Sequence, residues 1–413
     1  MQVCVLGAGI VGLACAYELR RAGHEVTVVD SGDPGGGASG GNGAQLSYSY
    51  VQPLADPGIW RQLPKLLFAP ASPLKLTPRL DPQQWLWCLR FLAACNSATS
   101  RESTARLLAL AASSRQGFDA MMAQENLHCD FSATGKLVLY ADQPAFAQAQ
   151  KQLRLQREWG SRQEAVSADR CVEIEPSLQH HHPQIAGAIY TPDECAADCQ
   201  KTCDELVRVL RRQGVRFLLK TRVERLVVRQ QSVVAAATED GLVEADRYVL
   251  AMGAGSVLMA RSLGLRIPVY PLKGYSITVE ANPAPGSAPS VSVTDSARKV
   301  VFARIGSRLR VAGMAELSGY DAAVGTKQIA SLEASARAVF HACSRFETLS
   351  PWAGMRPATP TGLPVTGRHP RGPDNLLFNT GHGALGFTLA FGSARRISDL
   401  LARPAQAPDQ GSC

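Results

Sequence analysis

QVCVLGAGIVGLACAYELRRAGHEVTVVD, residues 2–30, decides how this chain folds. An apolar run at 2–6 is followed by an amphipathic stretch at 10–22, and a second apolar run at 25–29 ends on Asp30. From the end of the first run onward, three glycines stand in the spacing G-x-G-x-x-G: Gly7, Gly9 and Gly12. The order predicts strand, glycine turn, helix, strand and acid, which is typical of a dinucleotide-binding βαβ unit.

Each part of this unit has a separate chemical task. The first glycine permits a tight turn, the second lets the backbone approach a pyrophosphate, and the third allows close packing of helix on strand. Backbone N–H groups at the helix start, such as those of Ile10 and Val11, attract phosphate. Asp30 can accept hydrogen bonds from a ribose, and its charge disfavours the 2′-phosphate of NADP. FAD and NAD remain as cofactors, and the alternative is an ordinary βαβ unit with glycine-rich turns.

Length and composition indicate a soluble globular protein with two domains. The chain has 413 residues, 46% of them hydrophobic and 19% charged, which is enough for two substantial cores. The strand at Gln2 leaves no room for a signal peptide, and no apolar run approaches the roughly 18 residues of a spanning helix. We therefore expect a cytoplasmic protein whose eleven cysteines are free thiols. The formal charge of +8 comes without a basic run interleaved with aromatics, so nucleic-acid binding is disfavoured and an anionic membrane face is only weakly favoured.

Two further stretches are predicted to approach the dinucleotide. Residues 32–43 are rich in glycine and serine and follow the second strand, so we interpret them as a loop that covers the cofactor, with a flexible linker as the alternative. Residues 247–252 form a predicted apolar strand that runs into Gly253 and Ala254, at the carboxyl ends of the parallel strands. The loop and the residues after it supply hydrogen-bonding side chains: Ser39, Asn42 and Gln45.

The position of the last glycine-rich turn distinguishes the two cofactors. Residues 381–386 (GHGALG) open a predicted helix that ends near residue 401. An NAD dehydrogenase usually completes its nucleotide domain in the first half of its chain. A returning C-terminal helix is typical instead of an FAD protein with an interleaved substrate domain. The N-terminus of such a helix would place partial positive charge at the N1–C2 edge of the reduced flavin.

The middle of the chain predicts a second domain. A strand at 269–280 and two more strands within 291–315 look antiparallel. Residues 83–95 form an apolar helix, which we interpret as a buried core helix, with a peripheral membrane element as the alternative. Residues 352–367 (WAGMRPATPTGLPVTG) read as a stiff proline- and glycine-rich loop around one cation, Arg356.

Three cysteines recur every four residues and are predicted to share one helix face: Cys195, Cys199 and Cys203. A zinc site would need a fourth ligand and the usual C-x-x-C spacing, and both are missing. We therefore expect small buried hydrophobic residues there, and no metal.

Together these elements predict an α/β fold. A Rossmann-like FAD-binding domain is interleaved with an α+β substrate domain whose sheet is mostly antiparallel. The predicted FAD-binding segments are residues 1–48, 196–268 and 352–413, the last with a C-terminal tail. The predicted substrate segments are residues 49–195 and 269–351.

Five stretches, in the right order over nearly the whole chain, resemble the D-amino acid dehydrogenase small-subunit family. This family lies within the D-amino acid oxidase, glycine oxidase and sarcosine oxidase superfamily of flavoproteins. The stretches are residues 7–30, PLKGYSITV (271–279), RVAGMAE (310–316), WAGMRPATPTGLPVTGR (352–368) and NTGHGALGFTLAFGS (379–393). The resemblance implies a noncovalent FAD and the oxidative deamination of D-amino acids to 2-oxo acids and ammonia. Electrons would pass to a quinone or another respiratory acceptor rather than to oxygen.

The resemblance also implies which residues contact the cofactor. The ADP part would be held by Gly7, Gly9, Ile10, Val11, Gly12 and Asp30. The pyrophosphate and flavin would be contacted by Ser39, Asn42, Gly43, Ala44 and Gln45. The backbone of Val223 would touch adenine, and Gly253 with Ala254 would lie near the pyrophosphate. The pyrimidine side of the flavin would be surrounded by Gly381, His382, Gly383, Ala384, Leu385 and Gly386.

Three residues are catalytic candidates. Arg356 matches the arginine that grips the substrate carboxylate in related oxidases. For Tyr275 the alternative is a packed strand tyrosine, and His382 is expected to act through its backbone and loop geometry rather than as a base. Hydride transfer from the substrate Cα to flavin N5 needs a neutral amine and good orientation more than a strong base.

Four alternatives stay open at this point. The first alternative is an oxidase or dehydrogenase of glycine, sarcosine or a D-proline analogue. The second is a flavoprotein subunit of a larger electron-transfer complex. The chain would otherwise be an NAD-binding protein without flavin. A peripheral contact on the cytoplasmic face of the inner membrane is the alternative to a purely cytoplasmic location.

Overall fold

Two large sheets organise the structure, a computed structural model that describes residues 1–51, 53–60, 74–157, 162–347 and 349–402. In chain order the strands are β1 (Gln2–Leu6), β2 (Glu25–Val29), β3 (Gln45–Leu46), β4 (Leu74–Leu76), β5 (Lys136–Tyr140), β6 (Glu164–Val166), β7 (Gly187–Thr191), β8 (Cys195–Ala196), β9 (Arg216–Leu218), β10 (Val223–Arg229), β11 (Ser232–Thr238), β12 (Gly241–Val243), β13 (Arg247–Leu250), β14 (Tyr270–Glu280), β15 (Ser292–Asp295), β16 (Val300–Ile305), β17 (Arg308–Leu317), β18 (Leu349–Ala358), β19 (Val365–Arg368) and β20 (Leu376–Thr380). The α-helices are α1 (Ile10–Arg21), α2 (Pro82–Ala94), α3 (Ser97–Glu125), α4 (Gln143–Arg157), α5 (Ala168–Ile174), α6 (Cys199–Arg212), α7 (Gly255–Ser262), α8 (Thr326–Val339) and α9 (Gly386–Ala402). Two 3₁₀ helices lie at Pro176–Gln184 and Gly383–Leu385.

The six-stranded sheet contains the predicted βαβ unit. Its order is β19-β20-β13-β1-β2-β9, with five parallel strands and β19 antiparallel at one edge. Helix α1 packs against α6 and α9, and Leu13 and Phe391 lie in one buried core. Strand order and helix placement confirm the prediction of strand, glycine turn, helix and strand at the N-terminus.

The nine-stranded sheet is mostly antiparallel, as predicted. Its order is β18-β14-β17-β16-β15-β5-β7-β6, and the short strand β4 pairs with β17. Helix α8 covers one face, where Leu332 and Ala336 share a buried core with Ile277 and Val293. The region 291–315 forms parts of three strands rather than the two predicted.

The prediction of a loop at 352–367 is wrong for its first half. Residues 349–358 form strand β18, which pairs with β14 over ten residue pairs. β18 is the edge strand of the sheet, and an edge strand tolerates proline because one side of its backbone needs no ladder hydrogen bond. Pro351 and Pro357 therefore do not interrupt it. The domain boundary predicted at residue 352 falls inside β18, so Arg356 belongs to the large sheet.

One contact crosses the predicted domain segments, and one cysteine lies outside its predicted helix. Helix α3, within the predicted substrate segment 49–195, packs against α9, and Phe118 shares a core with Leu13 of the parallel sheet's helix layer. Cys195 lies in β8 and not on the helix, because Asp198 caps α6 by accepting a hydrogen bond from the N–H of Gln200. The other two cysteines of the trio do lie on α6, and both are buried as predicted.

Helix α2 confirms the core-helix interpretation for one of its faces. Trp87 and Phe91 are buried with Tyr270 of the large sheet, and the indole N–H of Trp87 donates to the carbonyl of Ala358 at 2.9 Å. No helix in the described ranges is long and apolar enough to cross a membrane.

Candidate functional site

The first glycine turn is closed by contacts that only glycine allows. Gly7 has φ +117°, and its N–H donates to the carbonyl of Val29 at 2.8 Å. A Cβ on Gly12 would lie 1.9 Å from the Gly7 carbonyl oxygen, and a Cβ on Gly7 would lie 2.5 Å from the Ala251 oxygen. The backbones of β1, α1 and β13 therefore meet at this turn. Gly9 precedes the helix, so the first N–H groups of α1, from Ile10 and Val11 onward, point towards the turn.

Asp30 binds the same turn from the end of β2. Its Oδ2 accepts from the N–H of Ala8 at 2.6 Å, and its Oδ1 accepts from the N–H of Gly32 at 2.8 Å. The N–H of Thr221 donates to the Asp30 carbonyl at 2.9 Å, which brings the start of β10, and with it Val223, beside the acid. The structure thus gathers three separate predicted cofactor segments at one edge of the parallel sheet.

The glycine- and serine-rich stretch 32–43 is held in place by contacts of its second half, at Ser39 and Gly41. Ser39 Oγ accepts from the N–H of Ile10 at 3.0 Å, so the stretch covers the start of α1. Ser276 Oγ donates to the Gly41 carbonyl at 2.7 Å, which joins the stretch to the large sheet. A Cβ on Gly41 would lie 2.0 Å from the ring of Trp352. These contacts contradict the flexible-linker alternative.

Arg310 on β17 is a buried cation that sequence reasoning missed. Its Nη1 donates to the carbonyls of Asn42 at 2.7 Å and Gly40 at 3.2 Å, and its Nε donates to Thr278 Oγ1 at 2.7 Å. Burial lowers its pKa from the ordinary arginine value. The sequence could have indicated this residue: Arg310 stands inside an apolar predicted strand, and a buried arginine requires hydrogen-bond partners within the protein.

One face of the large sheet carries the side chains of Ser276, Thr278 and Arg310, and we call it the site face. Residues 42–45 lie along this face. Asn42 Oδ1 accepts from the N–H of Ala44 at 2.8 Å, and a Cβ on Gly43 would lie 3.0 Å from Val301. The side-chain amide of Gln45 donates to the carbonyls of Val293 at 3.4 Å and Phe302 at 3.3 Å. The stretch therefore runs between the turn at α1 and strands β15 and β16.

The second and third glycine turns meet at the carboxyl ends of β13 and β20. Gly253 has φ +55°, and its carbonyl accepts from Thr380 Oγ1 at 2.9 Å. The carbonyl of Ala254 accepts from the hydroxyl of Tyr320 at 3.3 Å. Gly381 has φ +83°, and a Cβ there would lie 2.8 Å from Thr359. Ligands of parallel α/β sheets bind at this edge.

His382 begins the turn that leads into α9. The turn continues through Gly383, Ala384 and Leu385, and Gly386 starts the helix. The His382 ring is buried, with Nε2 3.0 Å from Ser393 Oγ, and burial lowers its pKa to about 4. The imidazole is therefore neutral near pH 7 and directed at α9, which agrees with a role through loop geometry.

Arg356 extends over the backbone of β14 on the site face. A Cβ on Gly274 would lie 2.5 Å from its Cζ, so the guanidinium occupies the space that the glycine leaves. Its Nη1 donates to the carbonyl of Met314 at 2.8 Å, and burial lowers its pKa to about 10, which leaves it protonated at neutral pH. Within the described part of the chain, no carboxylate pairs with it.

The structure does not bring Tyr275 to Arg356. Successive strand residues point to opposite faces, so the neighbour of Ser276 faces α8. Tyr275 is buried in the α8 core, and its hydroxyl donates to Glu316 Oε2 at 2.7 Å. Burial, and then the adjacent carboxylate, raise its pKa. These contacts fit the packed-tyrosine alternative, and the structure gives no support to a catalytic role for Tyr275.

A protein-family model covers nearly the whole chain. The family model described as FAD dependent oxidoreductase (DAO) matches residues 2–400. The chain belongs to this family of FAD dependent oxidoreductases. It is 46% identical to D-amino acid dehydrogenase 2 of Ralstonia nicotianae, over 98% of this chain and 98% of that protein. It is 43% identical to D-amino acid dehydrogenase 2 of Pseudomonas aeruginosa, over 97% and 95%.

Two solved structures of glycine oxidases have a fold similar to that of this chain. Glycine oxidase from Geobacillus kaustophilus superimposes with a TM-score of 0.75 at 20% identity, over 99% of this chain and 96% of that one. Glycine oxidase from Bacillus cereus gives a TM-score of 0.73 at 18% identity, over 97% and 94%. At such identities the likeness concerns the fold, and it confirms the predicted α/β class.

The residues at the edge of the parallel sheet fit FAD. Asp30 keeps further lone pairs for ribose hydroxyls, and the start of α1 offers backbone N–H groups to a pyrophosphate. A Cβ on Gly253 or on Gly383 would meet no atom within 4 Å, so both turns face open space. FAD is therefore the cofactor, and the alternative of an NAD-binding protein without flavin is wrong.

Proposed function

We propose that this protein oxidatively deaminates D-amino acids to 2-oxo acids and ammonia, using a noncovalently held FAD. The observation that carries the proposal is Arg356, a half-buried guanidinium on the site face, which lies over Gly274 and is held by one carbonyl. A carboxylate that enters such a site needs a cation, because an unpaired buried charge is costly. The names of relatives that cover nearly the whole chain support a D-amino acid as the owner of that carboxylate.

The chain's own residues would bind and orient rather than exchange protons. A bound FAD, held by the glycine turns and Asp30 described above, would supply the acceptor, at N5, for a hydride from the substrate Cα. Arg356 would hold the carboxylate with its planar fork, which sets the position of Cα. The N-terminus of α9 at Gly386 would stabilise negative charge at the N1–C2 edge. His382 would remain neutral, and the amine would be oxidised in its uncharged form.

The site contacts described above support the predicted cofactor assignment. Gly7, Gly9, Gly12 and Asp30 would hold the ADP part, with the backbone of Val223 near adenine. The stretch from Ser39 to Gln45 would lie against pyrophosphate and flavin. Loss of FAD on unfolding, followed by its recovery as free FAD in the supernatant, would test the noncovalent attachment.

A substrate screen tests the reaction. The purified protein should reduce an artificial dye with D-amino acids and show little turnover with L-amino acids, glycine or sarcosine. Anaerobic addition of a D-amino acid should bleach the flavin absorbance. Turnover confined to glycine or sarcosine would replace the proposal with the sibling amine-oxidase alternative. Activity that appears only with a second purified subunit would support the electron-transfer complex.

We also propose a quinone or another respiratory acceptor, reached at a membrane surface on the cytoplasmic side. The outer face of α2 exposes Trp85, Leu86 and Leu89 beside Arg90, while its inner face is buried. Tryptophan, leucine and arginine on one helix face are typical of interfacial binding, and the net charge of +8 favours anionic lipids.

Two measurements test the acceptor and the membrane contact. The protein should co-sediment with vesicles containing anionic lipid in a salt-sensitive way, and a Trp85→Ala/Leu89→Ala double variant should bind less. Quinone reduction should be faster than reaction with oxygen. Rapid stoichiometric peroxide production in air would make the protein an oxidase, and vesicle binding unaffected by the double variant would remove α2 from the contact.

A further inference from the structure

The indole of Trp352, on β18, reaches across to the loop at 40–42. Trp352 faces Ser276 across the two paired strands, so its side chain lies on the site face. A Cβ on Gly41 would lie 2.0 Å from its Cδ2, and a Cβ on Gly354 would lie 2.0 Å from its Cη2. These two atoms are opposite corners of the six-membered ring. One rigid group therefore rests on the loop at one corner and on its own strand at the other.

The corner over β18 lies beside the guanidinium of Arg356. Gly354 faces Gly274 directly across the strands, and the guanidinium occupies the space above Gly274. Facing residues on paired strands have Cβ positions about 4.5–5.5 Å apart. Trp352 Cη2 therefore lies within about 10 Å of Arg356 Cζ. The indole thus occupies the site face between the loop and the cation that would hold the substrate carboxylate.

The loop is held differently by the strands beneath it. Arg310 of β17 and Ser276 of β14 donate hydrogen bonds to the carbonyls of residues 40–42. Within the ranges that the structure describes, no hydrogen bond joins residues 39–45 to β18. The position of the loop relative to the strand of Arg356 therefore depends on the packing of the indole.

We propose that Trp352 is a positioning residue, which sets the separation between the flavin and the substrate Cα. This inference rests on the proposed function, in which the loop lies against the flavin and Arg356 holds the substrate carboxylate. Hydride transfer needs its reacting atoms about 3–3.5 Å apart, and a misplacement of about 1 Å can lower the rate roughly 100-fold. Tryptophan suits this task because its large ring system is rigid and has only two side-chain torsions to fix.

The first test separates hydride transfer from binding. In Trp352→Ala, the limiting rate constant for anaerobic reduction of the flavin by a D-amino acid should fall roughly 10- to 100-fold. The Kd of the substrate should stay within about threefold, because Arg356 is still present. The kinetic isotope effect on kcat with a Cα-deuterated substrate should rise towards its full value, since hydride transfer becomes rate-limiting. Trp352→Phe keeps a smaller aromatic ring and should give an intermediate rate constant, and it serves if the alanine variant does not fold.

A second measurement does not depend on turnover. Acetate carries the carboxylate without a hydride to transfer, and it should shift the flavin absorbance of the wild-type holoenzyme when it binds. In Trp352→Ala, the size of this shift should change while the Kd of acetate stays within about threefold, because the carboxylate then lies at a different distance from the flavin. Gly354→Ala displaces the ring without removing it and should lower the rate constant of flavin reduction as well. Leu242→Ala, at an exposed apolar position on β12, is the control and should change neither quantity.

The outcomes separate this inference from the function beneath it. A wild-type protein whose flavin is reduced by no D-amino acid would refute the proposed function. A limiting rate constant within about twofold of the wild type, in folded and FAD-loaded Trp352→Ala and Gly354→Ala, would overturn only the role of Trp352. A higher Kd with an unchanged limiting rate constant would also overturn it, since Trp352 would then act in binding. A loss confined to Tm or FAD content would overturn it too, because such a loss is structural.

Discussion

Gly274→Ala tests the carboxylate site without removing its cation. The new Cβ would lie 2.5 Å from Arg356 Cζ. Carbon atoms pack at about 3.5 Å, so the guanidinium must move by about 1 Å. The clash involves the far end of a flexible side chain, so the fold should tolerate it. A misplacement of about 1 Å in an active site can lower the rate by roughly 100-fold, and we expect a fall of this size in kcat/KM.

Substitution of Arg356 itself should cause the largest loss of kcat/KM at this site. Arg356→Ala removes the partner of a buried carboxylate and should cost about 2–5 kcal/mol in transition-state stabilisation, roughly 30- to 5,000-fold in kcat/KM. Arg356→Lys keeps the charge and loses the fork, so it should fall between the wild type and the alanine variant. Arg371→Ala, an exposed arginine, is the matched control.

The assay is kcat/KM for a D-amino acid with a dye acceptor, after FAD content has been measured by absorbance. Both Gly274→Ala and Arg356→Ala should retain FAD, because neither residue contacts the turns at the edge of the parallel sheet. Near-normal kcat/KM in both fully loaded variants would refute the reasoning. Another group would then bind the carboxylate, or the substrate would have none.

Three further predictions concern the cofactor and the stability of the fold. Asp30→Ala should raise the dissociation constant of FAD by roughly 10- to 160-fold, from a loss of about 1.5–3 kcal/mol, while Asp33→Ala at an exposed position should not; equal FAD retention on dialysis would contradict this. Arg310→Met should lower Tm and weaken FAD binding, because the carbonyls of residues 40 and 42 lose a charged hydrogen-bond donor. An unchanged Tm would show that Arg310 does not hold this loop against the large sheet. His382 has a folded-state pKa of about 4 against an ordinary value of 6.5, so its neutral form supports the fold above pH 6.5 and this stability is lost as the pH falls towards 4. The loss should amount to about 3 kcal/mol in urea titrations, and a His382→Gln variant with the same pH slope would refute it.

Much of the parallel sheet could be predicted because its signals are local. The spacing of Gly7, Gly9 and Gly12 and the acid at Asp30 all lie within one stretch, and the observed turn uses them as expected. In the second domain, the sequence pattern also predicts helix α2, strand β14 and two of the three strands within 291–315. Each of these features depends on residues that are close together in the chain.

The errors depend on contacts between distant segments. Proline and glycine made residues 352–358 resemble a loop, and only the pairing with β14 reveals an edge strand. The face of Tyr275 follows only from the bond between Ser276 and Gly41, since alternation gives relative and not absolute directions. Arg310 was missed for the same reason, because its partners at residues 40 and 42 lie about 270 positions away.

The strand order of the parallel sheet governs when this protein can take up its cofactor during synthesis. β1 is made first, yet its neighbour β13 pairs in turn with β20, which spans residues 376–380. Helix α9, which packs on α1, is made later still. A nascent chain that ends before residue 376 therefore holds the glycine fingerprint without the sheet and helix that complete its surroundings. FAD uptake should begin only after residues 376–402 have left the ribosome, so the cofactor would stabilise the finished fold rather than nucleate it.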